Sequence, residues 1–187
     1  YMANHVGFAM RLNFETREPT FITPTPETVV NFADYSDAGY QEEPIVYTID
    51  PGEHWFRYGR PLRPLMPPHF RFNWNSPLTM SPSNPRVLYF GSNYLFKSVD
   101  RGDTWRIISP DLTTNDADLR NPTFQGGLTR SVTGGENHFT IFTVRESPLD
   151  PALVWAGTDD GNVQMTRNGG VSWTNVRDNL PGITGEV

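Results

Sequence analysis

The chain has no cysteine, which excludes disulfides and thiolate metal sites and says nothing about compartment. Lysine is almost missing: Lys97 stands alone, and the other 14 of the 15 basic residues are arginine. That bias follows from a GC-rich genome, or from interface contacts that a planar guanidinium makes better than an ammonium. Positive charge is in deficit, with 21 acidic residues, a net charge of -6 and a pI near 5.1. A nucleic-acid binder has the opposite balance. No apolar run reaches the roughly 18 residues of a membrane helix. No basic leader followed by an apolar stretch opens the chain. It begins at Tyr1, as expected of a processed chain or part of a longer one, with any signal peptide already removed.

Turn formers are abundant instead, with 16 glycines and 17 prolines among 187 residues. Aromatics make up 13%, well above the content of a disordered chain. Together they predict a domain of short strands and many turns, an all-β fold.

A pattern is written twice. Ser81-Pro82-Ser83-Asn84-Pro85-Arg86-Val87-Leu88-Tyr89-Phe90-Gly91-Ser92 returns 66 residues later as Ser147-Pro148-Leu149-Asp150-Pro151-Ala152-Leu153-Val154-Trp155-Ala156-Gly157-Thr158. Each copy is a Pro-flanked turn, an apolar run, then Gly and a hydroxyl residue. A second block follows each: Ser98-Val99-Asp100-Arg101-Gly102-Asp103-Thr104-Trp105, and 68 residues on, Thr166-Arg167-Asn168-Gly169-Gly170-Val171-Ser172-Trp173. Two blocks in one order at nearly one offset imply repeated structural units.

The local physics is legible. Val87 to Phe90 is a short apolar run between turn signals and reads as a buried strand. Tyr94 to Lys97 and Trp105 to Ile108 read as the next two. Between them, Asp100 can accept backbone N–H groups and Gly102 tolerates positive φ, which gives a tight hairpin. The tryptophan that follows packs its ring on the sheet and offers its indole N–H to a carbonyl. Asn168 and Gly170 suit the same task in the second copy.

Ser98, Asp100, Gly102, Thr104 and Trp105 resemble the Asp-box, or bacterial neuraminidase repeat (BNR repeat). Thr166, Asn168, Gly170, Ser172 and Trp173 resemble it with Asp replaced by Asn. The flanking phrases are similar to bacterial sortilin/Vps10-type propellers, often labelled glycosyl hydrolase by name only. Similar repeats occur in photosystem II assembly factors. The resemblance covers residues 71–187 strongly and 1–26 weakly, and is absent from 27–70. It implies a partial β-propeller of two to three four-stranded antiparallel Asp-box blades. The expected organisation is a degenerate blade in 1–26, an extended Pro/Arg/aromatic arm in 27–70, blade one with a long connection in 71–137, and blade two with a connector in 138–187. Phe72, Trp74, Leu78 and Met80 form an interrupted alternation, and His138 to Arg145 is an extended segment. Two or three blades do not close a ring of four to eight. The open flanks call for the rest of a larger propeller, an oligomer or other subunits.

An Asp-box invites a sialidase reading. Its polar groups are expected to be consumed by the turn they hold, which makes them structural. A sialidase-like centre needs clustered arginines and a Tyr nucleophile with a Glu base. Arg11, Arg71, Arg130, Arg145 and Glu146 are present, but nothing gathers them and no Tyr–Glu pair stands out, so no catalytic residue is assigned. Glu136, Arg145 and Glu146 read as an ion pair that fixes packing. Asp159-Asp160-Gly161-Asn162 carries oxygen ligands but lacks the alternation and closing Glu of a calcium loop, and reads as a hairpin turn. His5, His54, His69 and His138 have no metal-ligand spacing, so neither metal nor cofactor is expected.

The segment 27–70 opens acidic, with Asp34, Asp37, Glu42, Glu43, Asp50 and Glu53. It turns to aromatic, Arg and Pro residues, of which Trp55, Phe56, Arg57, Tyr58, Arg60, Arg63, Met66 and Phe70 are the candidate partner-binding set. Such residues are enriched at interface cores, and Pro-rich segments stay extended. The arm either docks on a partner or wraps its own propeller.

The expected function is a non-catalytic protein-interaction or scaffold module. It is an accessory subunit or part of a larger extracytoplasmic complex, periplasmic or secreted, as the resemblance implies. The alternatives are a fragment of a sialidase-like glycoside hydrolase and an assembly factor of a membrane complex. No nucleic-acid partner and no transmembrane segment are expected.

Overall fold

Turns cut the chain every few residues, so its strands are short and pair with their sequence neighbours. The computed structural model describes residues 1–3, 7–25, 27–31, 34, 70–116 and 138–180. Within them lie three antiparallel sheets and almost no helix. Sheet 1 is a three-stranded meander of β1 (Met2–Ala3), β2 (Ala9–Leu12) and β3 (Pro19–Phe21). Sheet 2 has β4 (Leu78–Met80), β5 (Leu88–Gly91), β6 (Leu95–Ser98) and β7 (Arg106–Ile107). Sheet 3 has β8 (Ile141–Glu146), β9 (Val154–Thr158), β10 (Val163–Thr166) and β11 (Thr174–Asn175). A 3-10 turn, Arg177–Asn179, follows β11. No helix among the described residues is long and apolar enough to cross a membrane.

Sheet 2 lies between the other two. All four residues of β5 are buried, because both faces of the strand are covered. Leu88, Phe90 and Phe96 face sheet 1 and join Ala9, Ile22, Phe72 and Trp105 in one apolar cluster. Val87, Tyr89 and Leu95 face the other way and join Ile141, Val144, Val154 and Ala156 of sheet 3. β8 lies against β4 and β5. Gly91 allows this approach, since a Cβ there would sit 3.0 Å from the Cβ of Ile141. At roughly 25 cal/mol per Å2 of apolar area, such side-chain burial is the main term holding the sheets together.

Several expectations need adjustment. The alternation from Phe72 to Met80 is a strand only over Leu78–Met80. Upstream, Asn73 and Ser76 close a turn, leaving Phe72 buried and Trp74 half exposed. In β8 a register shift between Ile141 and Thr143 leaves Phe142 outside the ladder and exposed. The start of the 27–70 segment is tied to the sheet: Val29 bridges Trp105 in parallel, and Asn31 exchanges side-chain bonds with the backbone of Ile107.

Candidate functional site

The two turn motifs are the best-defined polar constructions. In the first, Ser98 Oγ donates to Asp100 Oδ1 at 2.7 Å and accepts from Gly102 N at 2.7 Å. Asp100 then accepts from Thr104, N–H at 2.9 Å and hydroxyl at 2.6 Å. These bonds hold the Asp100 carboxyl below its usual range although its partial burial alone would raise it. In the second, Thr166 Oγ1 donates to Asn168 Oδ1 at 2.8 Å and accepts from Gly170 N at 3.0 Å. Ser172 N donates to Asn168 Oδ1 at 2.9 Å. Asn168 Nδ2 donates to the Ser172 hydroxyl, the reverse of the bond Thr104 makes to Asp100, so the amide keeps the same closed network. The side chains of Ser98, Asp100 and Thr104, and of Thr166, Asn168 and Ser172, are thus engaged inside their own turns.

The tryptophans that close the motifs reach outward. Trp105 Nε1 donates to the Ile22 carbonyl at 2.7 Å, and Trp173 Nε1 to the Ile108 carbonyl at 2.8 Å. Each indole thus ties its sheet to the residue just past the last strand of the preceding sheet. The motif glycines touch the same residues. A Cβ on Gly102 would lie 2.8 Å from the Ile22 Cβ, and one on Gly170 would lie 2.8 Å from the Ile108 Cβ.

A buried carboxylate joins sheets 2 and 3. Glu146, at the end of β8, accepts from the hydroxyls of Ser81 and Ser83, each at 2.7 Å, and of Tyr89 at 2.6 Å. Burial would raise its pKa, but the bonds from Tyr89, Ser81 and Ser83, with the charge of Lys97, outweigh it and hold the carboxyl low. Burial first, then the bond to Glu146, pushes Tyr89 well above its usual range. Lys97 Nζ sits 5.4 Å from the centre of the Tyr89 ring. This Tyr–Glu pair takes the place of the ion pair expected at Glu146. Its partners are hydroxyls rather than Arg145, and Glu136 lies outside the described residues. The only sequence signal was the period-two alternation that turns Tyr89 away from Leu88 and Phe90. A tyrosine that is fully buried and holds its proton is a poor nucleophile.

The arginines stand on different partners. Arg11 pairs with Asp103 at 2.7 Å, and Arg71 with Asp111 at 2.7 Å. Arg71 also donates from Nε to the Phe139 carbonyl. Arg130 lies outside the described residues. The oxygens of 159–162 are taken up by the protein. Asp159 accepts from Thr140 and Asn73, Asp160 from Thr114 N and the Thr158 hydroxyl, and the Asn162 side-chain oxygen from Asn175. This turn binds sheet 3 to segments flanking sheet 2. His138 stands 3.7 Å from Asp159. A cleft of about 230 Å3 beside β6 and β7 is lined by Val30, Lys97, Val99, Arg106 and neighbours, with no carboxylate among the described lining residues.

Of the candidate partner-binding residues, Phe70 is corrected. It is 5% exposed and packs edge-on to Phe96 at 4.8 Å, because the end of that segment runs into the core beside β6. Trp55, Phe56, Arg57, Tyr58, Arg60, Arg63 and Met66 lie outside the described residues, as do His5, His54 and His69.

The chain matches no protein-family model, and no curated protein matches it. Among solved structures it is similar to YCF48 from Cyanidioschyzon merolae, at 15% identity and a TM-score of 0.21, over 59% of this chain and 44% of that one. The match thus spans less than half of that protein, and agreement at this level carries no argument about function.

Proposed function

We propose that the three sheets are successive blades of an Asp-box β-propeller and that the chain is a protein-interaction or scaffold module of an extracytoplasmic assembly. The observation that carries this reading is the outer face of sheet 3, where Leu153, Trp155, Val163 and Met165 are only partly buried. On sheet 2 the counterparts of Leu153, Trp155 and Val163, namely Val87, Tyr89 and Leu95, are buried against sheet 3. The strongest polar centres are spent on architecture: the motif turns satisfy themselves, Glu146 joins two sheets, and Arg11 and Arg71 each hold a carboxylate.

The second reading, a sialidase-like hydrolase, is favoured by the 2.6 Å Tyr89–Glu146 contact alone. Burial of Tyr89 and its raised pKa weigh against it as a nucleophile. The test is the mass of the native particle, with glycoside turnover measured on the same sample. The scaffold reading expects a particle well above the 21.2 kDa of this chain and no turnover. Turnover of a sialoside that is lost in Tyr89→Phe would favour the hydrolase.

A further inference from the structure

Three residues occupy one structural position. Ile22 N donates to the carbonyl of Ala9, Ile108 N to that of Leu95, and Val176 N to that of Val163, at 2.8–2.9 Å. In each case the acceptor is the first residue of a four-residue strand, β2, β6 or β10. In each case the donor directly follows the last strand of its sheet, β3, β7 or β11. At the first two positions the carbonyl receives the indole of the next motif tryptophan, and the side chain lies under the next motif glycine.

From this repetition we infer that the Val176 carbonyl and the apolar face around it are a docking site for one further sheet unit, whose motif tryptophan donates its indole N–H to Val176. The inference rests on the stacked-unit reading above and names the partner at its open end. The register supports it position by position. Val87, Tyr89 and Leu95 of sheet 2 are buried by sheet 3, and Leu153, Trp155 and Val163 stand at the same places on sheet 3, apolar but only partly buried. Gly91 leaves room for Ile141 of the following sheet, whereas Gly157, at the matching place, has among the described residues only Thr143 of its own sheet within 4 Å. The Val176 carbonyl accepts Asn179 N at 3.0 Å and keeps a second lone pair for an indole. A second copy of this chain does not supply the partner through Trp105 or Trp173, since both indoles are already engaged.

The test extends the full chain by its own logic. Residues 109–187 are repeated directly after Val176, so that the added unit enters through the same connection that leads from Ile108 to Trp173. The expected result is a thermal midpoint at least about 4 °C above the parent, lost when the copy of Trp173 is changed to Phe. An extended chain that melts no higher than the parent, and is indifferent to that change, overturns the inference. If the extended chain precipitates on heating, limited proteolysis at 25 °C replaces the melt. The added unit should resist cleavage with Trp and be cut with Phe, and equal cleavage overturns the inference. Trp173→Phe in the parent separates the two levels. A lowered midpoint there with no gain from the extension defeats only the docking site, and an unchanged midpoint defeats the stacked-unit reading itself.

Discussion

Gly102 and Gly170 must meet two demands at once. Their φ angles are 95° and 105°, in the region that costs an L side chain about 1–2 kcal/mol. A Cβ on either would also press on an isoleucine of the neighbouring sheet. Alanine at either position is therefore expected to lower stability by more than about 2 kcal/mol in denaturant titration, combining strain with overpacking. Gly169 is the control. Its φ is 69° but a Cβ there meets nothing within 4 Å, so Gly169→Ala should cost only about 1 kcal/mol. Asp100 gives a pH prediction. Its folded pKa is depressed, so it contributes stability above the unfolded carboxylate value, and that contribution is lost as pH falls through the folded value. Asp100→Asn, which copies Asn168, should therefore flatten part of the acid limb of a stability–pH curve below about pH 4. An unchanged acid limb would show that the carboxylate is not held by its turn.

Between elements, the tie to test is Glu146. It is 7% exposed and serves three hydroxyl donors from the adjoining sheet. Glu146→Ala leaves Tyr89 with a buried, unpaired hydroxyl and should cost about 2–4 kcal/mol. Tyr89→Phe alone should cost about 1–2 kcal/mol. Because the two groups share one bond, the double variant should be less destabilised than the sum of the singles, by at least about 0.5 kcal/mol. Strict additivity in chemical denaturation would contradict the contact. Here the limit of the sequence is plain. The hairpins were legible because serine, Asp, Gly and Trp act within eight residues of one another, and local chemistry decides such a turn. Strands β5, β6 and β7 were legible too, because short runs between turn signals mark a strand locally. The Tyr89–Glu146 bond joins residues 57 apart, and no local pattern announces it. Likewise, Trp74 looked like part of an alternation until Asn73 and Ser76 closed a turn instead.

At the scale of the molecule, one construction recurs: a four-residue strand, a self-satisfied turn, and an indole that crosses to the previous sheet. Sheet 1 shares the frame without the tryptophan. Its turn is closed by Asn13, whose side chain accepts from Glu15 N. Its likeness to the other two sheets was only faintly readable, because what they share is the receiving residue Ile22, an ordinary apolar side chain in sequence. The fate of Phe70 belongs here too. Composition marked it for an interface, but its position beside β6 drew it into the core. The crossing indoles are the central claim, and hydrogen exchange of their N–H groups, followed by NMR, reads them directly. Trp105 and Trp173 should both exchange far more slowly than a free indole, Trp105 with protection close to that of the core strands. Exchange of either at the rate of a free indole would contradict the account.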